Sequence, residues 1–118
     1  MKEYEIFLPF PPSINTYFAV ARGRKILTAK GRKYRKECLA VMNELGLQEL
    51  NLDCHFGVTI TLNPPCNRKR DVDNFLKPVL DALTHASFWS DDSLVDDLRV
   101  IRGVKSNPGH IHLIVKEL

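Results

Sequence analysis

Phe56-Gly57-Val58-Thr59-Ile60-Thr61-Leu62 sets Val58, Ile60 and Leu62 against Thr59 and Thr61 at alternate positions, and Asn63-Pro64-Pro65 closes the run. The two-residue period and the β-branched content read as a strand with one face in the core. Downstream the period changes. From about Asp73 to Ala86, the residues Phe75, Leu76, Val79, Leu80 and Leu83 recur at helical spacing. Segments 97–104 and 110–117 then read as a hairpin around Ser106-Asn107-Pro108-Gly109. Upstream, Thr28 is a candidate N-cap, and Tyr34, Cys38, Val41, Met42 and Leu45 follow at three- and four-residue spacing until Gly46. Residues 4–9 start as an alternating strand that Pro9, Pro11 and Pro12 must end, and a loop runs from there to about residue 28. The order is β-α-β-α-β-β. Residues 1–118 therefore read as a single compact α+β domain with two main helices and a mixed, largely antiparallel sheet.

The 118 residues are 44% hydrophobic and 26% charged, the balance of an ordinary globular domain rather than a disordered or fibrous chain. A chain of this length needs no metal or disulfide to fold, so any metal would serve chemistry. No stretch approaches the roughly 18 apolar residues of a membrane span, and Met1-Lys2-Glu3-Tyr4-Glu5 lacks an apolar signal region. Cys38, Cys54 and Cys66 follow no zinc-like spacing and suit reduced thiols. The expectation is a cytoplasmic protein with no membrane partner.

The formal charge of +3 conceals a division along the chain. Arg22, Arg24, Lys25, Lys30, Arg32, Lys33, Arg35 and Lys36 contain no acid among them, and Arg68-Lys69-Arg70 forms a second basic cluster. Seven aspartates follow: Asp71, Asp73, Asp81, Asp91, Asp92, Asp96 and Asp97. Basic clusters suit a polyanion, because each neutralised phosphate releases counterions. Aspartates beside them would repel it unless a divalent cation intervened, since Mg²⁺ binds carboxylates together with phosphate oxygens. Solvated surface would look the same.

The chemistry concentrates in Arg68-Lys69-Arg70-Asp71-Val72-Asp73-Asn74-Phe75-Leu76-Lys77-Pro78-Val79-Leu80-Asp81. One aspartate at a helix start is explained by capping or by the helix dipole; two beside three cations hardly are. Asp73, Lys77 and Asp81 fall on one helix face, as a salt-bridged surface ladder would also do. Pro78, beyond a first turn that starts at Asp73, predicts an irregular or kinked helix start, which would turn Asp71, Asp73 and Lys77 toward a common point. Ser90-Asp91-Asp92 supplies further carboxylates. Such groups from separate elements hold Mg²⁺ while leaving room for water and phosphate, and Lys77 suits the charge that builds on the phosphate. His55, His85, His110 and His112 read as surface or packing residues, and Phe88-Trp89 as core.

Taken together the residues resemble the RusA-type Holliday junction resolvases, small dimeric Mg²⁺-dependent endodeoxyribonucleases often encoded by prophages. The likeness spans nearly the whole chain. It rests on Leu8-Pro9-Phe10-Pro11-Pro12-Ser13-Ile14-Asn15, Gly31-Arg32-Lys33-Tyr34-Arg35, Arg70-Asp71-Val72-Asp73-Asn74-Phe75-Leu76-Lys77 through Asp81-Ala82-Leu83, and Phe88-Trp89-Ser90-Asp91-Asp92. It implies that Asp71, Asp73 and Asp92 are catalytic carboxylates and metal ligands, with Lys77 the essential lysine. Asp91 is a further metal-ligand candidate or a turn residue, and Asn15 orders its loop or contacts DNA. Pro78 and Cys66 depart from the pattern without removing a catalytic residue.

The function expected is paired, symmetric cleavage of four-way junction DNA in recombination and repair, with Mg²⁺ or Mn²⁺. A homodimer fits, because two cuts on two-fold-related strands call for two equivalent sites. Arg22, Arg24, Lys25, Lys30, Arg32, Lys33 and Arg35 with Arg68, Lys69 and Arg70 are the expected phosphate contacts. The alternatives are a flap or fork nuclease, and a non-catalytic module that binds branched DNA.

Overall fold

Alternate residues Tyr4, Ile6 and Leu8 are buried along β1, Glu3–Pro9, and Val58, Ile60 and Leu62 along β4, Phe56–Asn63. This is the half-buried alternation that the sequence predicts. The computed structural model describes residues 2–118. Between these strands lie α1, Ile14–Tyr17; the strands β2, Phe18–Ala21, and β3, Arg24–Leu27; and α2, Ala29–Glu44. A 3₁₀ turn, Val72–Phe75, leads into α3, Leu76–His85, and a second, Asp92–Leu94, leads into β5, Val95–Arg102. The strand β6, His110–Glu117, follows. The α+β class and the order of the main elements agree with the sequence reading.

Two expectations need correction. The segment between residue 9 and residue 28 is not a plain loop: it folds as α1 and an antiparallel hairpin of β2 and β3. Arg22 and Gly23, at φ 52° and 71°, form its two-residue turn, the positive-φ pair that type I′ hairpin geometry requires. Nor do the two C-terminal strands pair as a hairpin. The sheet order is β1-β6-β4-β5, with β6 antiparallel to both neighbours and β5 parallel to β4. The turn residues 106–109 do reverse the chain, but it passes over β4 before pairing. Burial explains the placement. Ile111, Leu113 and Val115 are fully buried and make β6 a central strand, while most of β5 is exposed, as an edge strand can be. The parallel β4–β5 pair needs a crossover, which α3 supplies.

The helices cover one face of the sheet, where Ile6, Ile60, Leu113, Met42, Val79, Leu83, Phe88 and Trp89 form the core. The Phe88-Trp89 pair is core, as expected, and the Trp89 indole donates to Thr84 Oγ1 at 2.8 Å. Pro78 causes no break, because α3 begins only at Leu76 and the turn before it is 3₁₀. This is the irregular start that the proline implies. Thr28 caps α2 as predicted: its hydroxyl accepts from Gly31 N at 3.0 Å and donates to Thr16 O at 2.6 Å, tying α2 to α1. All three cysteines are free. No helix among the described residues is long and apolar enough to cross a membrane.

The close approach of α1 to α2 falls at Gly31, where a Cβ would stand 2.5 Å from Tyr17 O and 2.7 Å from Leu27 Cδ1. Alanine normally favours a helix over glycine. Here Gly31→Ala is expected to lower stability by about 1–3 kcal/mol, read as a fall in the urea midpoint; a rise would show that the contact relaxes freely.

Candidate active site

The chain leaves β4 at Asn63 and crosses Pro64-Pro65 before entering the basic loop that ends at Asp71. Arg70 braces this loop. Its guanidinium donates to Cys66 O at 2.9 Å and to Arg68 O at 3.1 Å and lies 5.5 Å from the Phe10 ring centre, while Arg102 donates to Arg70 O at 2.7 Å. Phe10 packs on Phe75 at 5.2 Å, which fixes the N-terminal proline-rich segment against the 3₁₀ turn. An open cleft of about 400 Å³ results, lined by Ser13, Arg68, Lys69, Arg70, Asp71 and Asn74.

Asp71 and Asp73 are exposed on either side of Val72. Asp71 holds the N-cap position of the turn in extended backbone, yet its side chain makes no capping bond. Among the described residues neither carboxylate takes part in a side-chain hydrogen bond or ion pair. Capping, the structural explanation of the Asp-x-Asp, is therefore not how these two are used. Lys77, on the first turn of α3, reaches across to Asp92, with Nζ 2.5 Å from Oδ2. The structure thus distinguishes the aspartate pair. Asp92 faces Lys77, while Asp91 accepts from Ser93 N at 3.1 Å and caps the second 3₁₀ turn. The Ser93 hydrogen bonds hold the Asp91 carboxyl below its usual range.

Asp81, which the sequence places on the face of Asp73 and Lys77, is engaged elsewhere. Tyr17 donates its hydroxyl to Asp81 Oδ2, Arg35 Nε donates to the same oxygen at 2.8 Å, and Arg35 Nη2 donates to Oδ1 at 3.1 Å. Arg35, expected among the DNA contacts, is spent on this network. Burial works to raise the Asp81 pKa, but the hydrogen bonds from Arg35 and Tyr17, with the Arg35 and Lys77 charges, outweigh it and hold the group low. The tyrosine moves the other way: burial first, then its bond to Asp81, pushes the Tyr17 hydroxyl well up.

The other expected contacts are distributed over the hairpin, α2 and the cleft. Arg22, Arg24 and Lys25 project from the hairpin, with Lys25 Nζ 4.2 Å from the Phe18 ring centre. Lys30, Arg32 and Lys33 are exposed on the first half of α2. Arg68 and Lys69 line the cleft with Asp71, and Asn15 is exposed on α1, which packs against the 3₁₀ turn and α3. Sequence reasoning missed Ser13 and Asn74 as lining residues, the brace at Arg102, and Tyr17. An aromatic pair, Tyr17-Phe18, inside an expected loop was the one available signal for Tyr17.

The donor chemistry suits a hard divalent cation, because Asp71, Asp73 and Asp92 offer carboxylate oxygens and no nitrogen or sulfur. Among the described residues no three His, Cys, Asp or Glu side chains already stand together as a cage.

The Endodeoxyribonuclease RusA family model matches residues 9–116. A relative from Enterobacteria phage HK97, named crossover junction endodeoxyribonuclease rusA, is 40% identical over 118 residues, which is 100% of this chain and 98% of that protein. Proteins of the same name from Shigella sonnei and Escherichia coli are 36% identical over the same spans.

A depressed carboxyl stabilises the fold above its unfolded pKa, near 4, and that contribution is lost as pH falls through the folded value. Asp81→Asn should therefore destabilise the protein at pH 7, with the gap to wild type narrowing below about pH 4. Urea midpoints at several pH values test this, and a gap independent of pH would contradict it.

Proposed function

The chain belongs to the Endodeoxyribonuclease RusA family, and on that premise we propose that it resolves four-way DNA junctions by paired symmetric phosphodiester cleavage, as a Mg²⁺-dependent homodimer. The observation that carries this reading is the ion pair of Lys77 with Asp92 just after an uncommitted Asp71-x-Asp73 turn, whose Asp71 lines a basic cleft. A module that only bound DNA would gain nothing from two unpaired carboxylates facing phosphate.

Arg68 and Lys69 hold the phosphates that flank the cut, and Arg70 keeps their loop in shape. Asp71, Asp73 and Asp92 are the residues that would hold Mg²⁺, with Mn²⁺ as a substitute. Held there, such an ion would supply activation of water and stabilisation of charge on the leaving oxygen. Lys77, aimed by Asp92, neutralises charge that develops on the phosphate in the transition state. Asp91 serves the turn and keeps Asp92 in position. Asn15 sits on α1, from which it can order the approach of DNA. Exposed cations of the hairpin and α2 extend the phosphate track, so that recognition rests on branched shape more than on base edges. Two equivalent sites suit two cuts on two-fold-related strands. The reading implies work in recombination and repair inside the cell.

The direct test is cleavage of a synthetic four-way junction with Mg²⁺ and with EDTA, comparing wild type with Asp73→Asn at matched binding. Paired symmetric nicks from wild type alone, and only with metal, are expected. Binding without cleavage in every arm would favour a DNA-binding module, and a clear preference for flaps would favour a flap or fork nuclease. In the binding arm, Lys69→Ala should weaken affinity and reduce the slope of log K against log salt by about 1. An unchanged slope would place Lys69 away from phosphate.

A further inference from the structure

The parallel strands β4 and β5 end side by side, with Leu62 opposite Arg102. From the end of β4 the chain runs through Pro64-Pro65 into the basic loop and on to Asp71. We propose that Arg102, at the end of β5, is a positioning residue for Asp71: it ties the loop back to the sheet and so fixes the point from which that carboxylate is offered to a divalent cation. The inference rests on the nuclease reading for the cation; the tie itself is geometry.

The loop needs such a tie. Between Pro65 and Arg70, among the described residues, no backbone group bonds to another backbone group. The Arg70 guanidinium bonds to carbonyls of its own loop, at Cys66 and Arg68, and lies near the Phe10 ring, which belongs to the proline-rich segment and not to the sheet. These contacts stiffen the loop without fixing where it stands on the sheet. Arg102 does that: its Nη2 donates to Arg70 O at 2.7 Å, across 32 residues, in a charge-assisted bond of the stronger kind. The carbonyl it holds belongs to the peptide that leads into Asp71. On the other side, Asn74 N donates to Asp71 O at 3.2 Å. The Cα of Asp71 thus stands between two held peptides, while among the described residues its carboxylate has no partner.

Arg102 has a fixed base. Gly103 N donates to Leu62 O at 2.7 Å and Val104 N to Asn63 Oδ1 at 3.1 Å, so β5 is clamped to β4 just past the arginine. A side chain at Gly103 would collide with Asn63 Oδ1 and Thr61 Cγ2, which is why glycine makes this approach. Paired residues of neighbouring strands share a face, and Arg102 therefore projects with Leu62 toward the helices. It borders a crevice of about 10 Å³ together with Leu62, Pro64, Val72 and Phe75, with room for one water at most. Arg102 is not among the side chains that line the cleft, which separates its task from that of Arg68 and Lys69.

Charge and position predict opposite signs, which makes the role testable. Were Arg102 only a nearby cation, it would repel a divalent ion, and its removal would tighten metal binding. As a brace it keeps a carboxylate in place for the ion, and its removal loosens metal binding.

Arg102→Met keeps an apolar stem and removes the donor. Mn²⁺ binding to the full chain without DNA, followed by electron paramagnetic resonance, should weaken by about tenfold, with the urea midpoint close to that of wild type. In an Asp71→Asn background the same substitution should add nothing further, because the brace acts through Asp71. Tighter or unchanged Mn²⁺ binding in Arg102→Met, an equal loss in both backgrounds, or a wild type that binds no Mn²⁺ would each overturn the proposal. Arg102→Gln, judged by the same criteria, takes its place if Arg102→Met unfolds. The salt slope of junction binding should stay as in wild type; a fall by about 1 would make Arg102 a phosphate contact instead. Junction cleavage is scored separately. A wild type that cuts while Arg102→Met keeps its Mn²⁺ affinity rejects the brace and keeps the nuclease, and a brace that responds as expected in a protein that never cuts does the reverse.

Discussion

A single partly buried carboxylate, Asp81, joins the three helices. It lies on α3, accepts from Tyr17 at the end of α1 and receives both arms of an Arg35 fork from α2. Each partner is needed by the others. Arg35 would otherwise bring an unpaired charge to a half-buried position, and the Tyr17 hydroxyl, on a side chain with no exposed surface, would lose its acceptor. Breaking such a set by removing one member costs more than the net worth of any one bond, because the remaining groups stay desolvated. The candidate site residues hang from these elements: Asn15 two residues before Tyr17, Lys77 one helical turn before Asp81, and the exposed cations along α2. The network therefore fixes how these three helices stand to one another.

The division of labour among the charged residues follows from their positions. Arg70 and Arg35, both in basic clusters, are turned inward and hold loops and helices. Arg68, Lys69 and the hairpin cations remain outward and available to phosphate. The aspartates divide in the same way, Asp81 and Asp91 holding structure while Asp71 and Asp73 stay uncommitted. A charge cluster read along the chain thus overstates the number of groups that can meet a ligand, since part of it is consumed in keeping the rest in place.

What could be read from the sequence was local. The alternation of Val58, Ile60 and Leu62, the cap at Thr28, the stripe from Phe75 to Leu83 and the irregular start before Pro78 each depend on near neighbours, and each is found in the fold. Strand order was not legible, because a period of two tells which face a strand buries and not which strand lies beside it; segments 97–104 and 110–117 looked adjacent and are separated by β4. The β2–β3 hairpin escaped because neither of its faces is buried, which leaves no alternation to detect. At the site, the Asp-x-Asp and Lys77 were visible as a motif. The pairing of Lys77 with Asp92 and the diversion of Arg35 to Asp81 depend on contacts across 15 and 46 residues, beyond any local pattern.

The central place of β6 has a consequence for how the molecule comes into being. It is the sixth strand made, yet it lies between the first and the fourth. Until it arrives, β1 and β4 each expose an unpaired edge, and the pockets that receive Ile111, Leu113 and Val115 stand open to water. Synthesis from the N-terminus therefore passes through a stage in which most of the chain is present and the sheet is split. That stage is the one most open to pairing with a neighbouring chain. Closure of the sheet is a single late event that joins the two ends of the sequence, and the domain becomes stable as a unit only when it occurs.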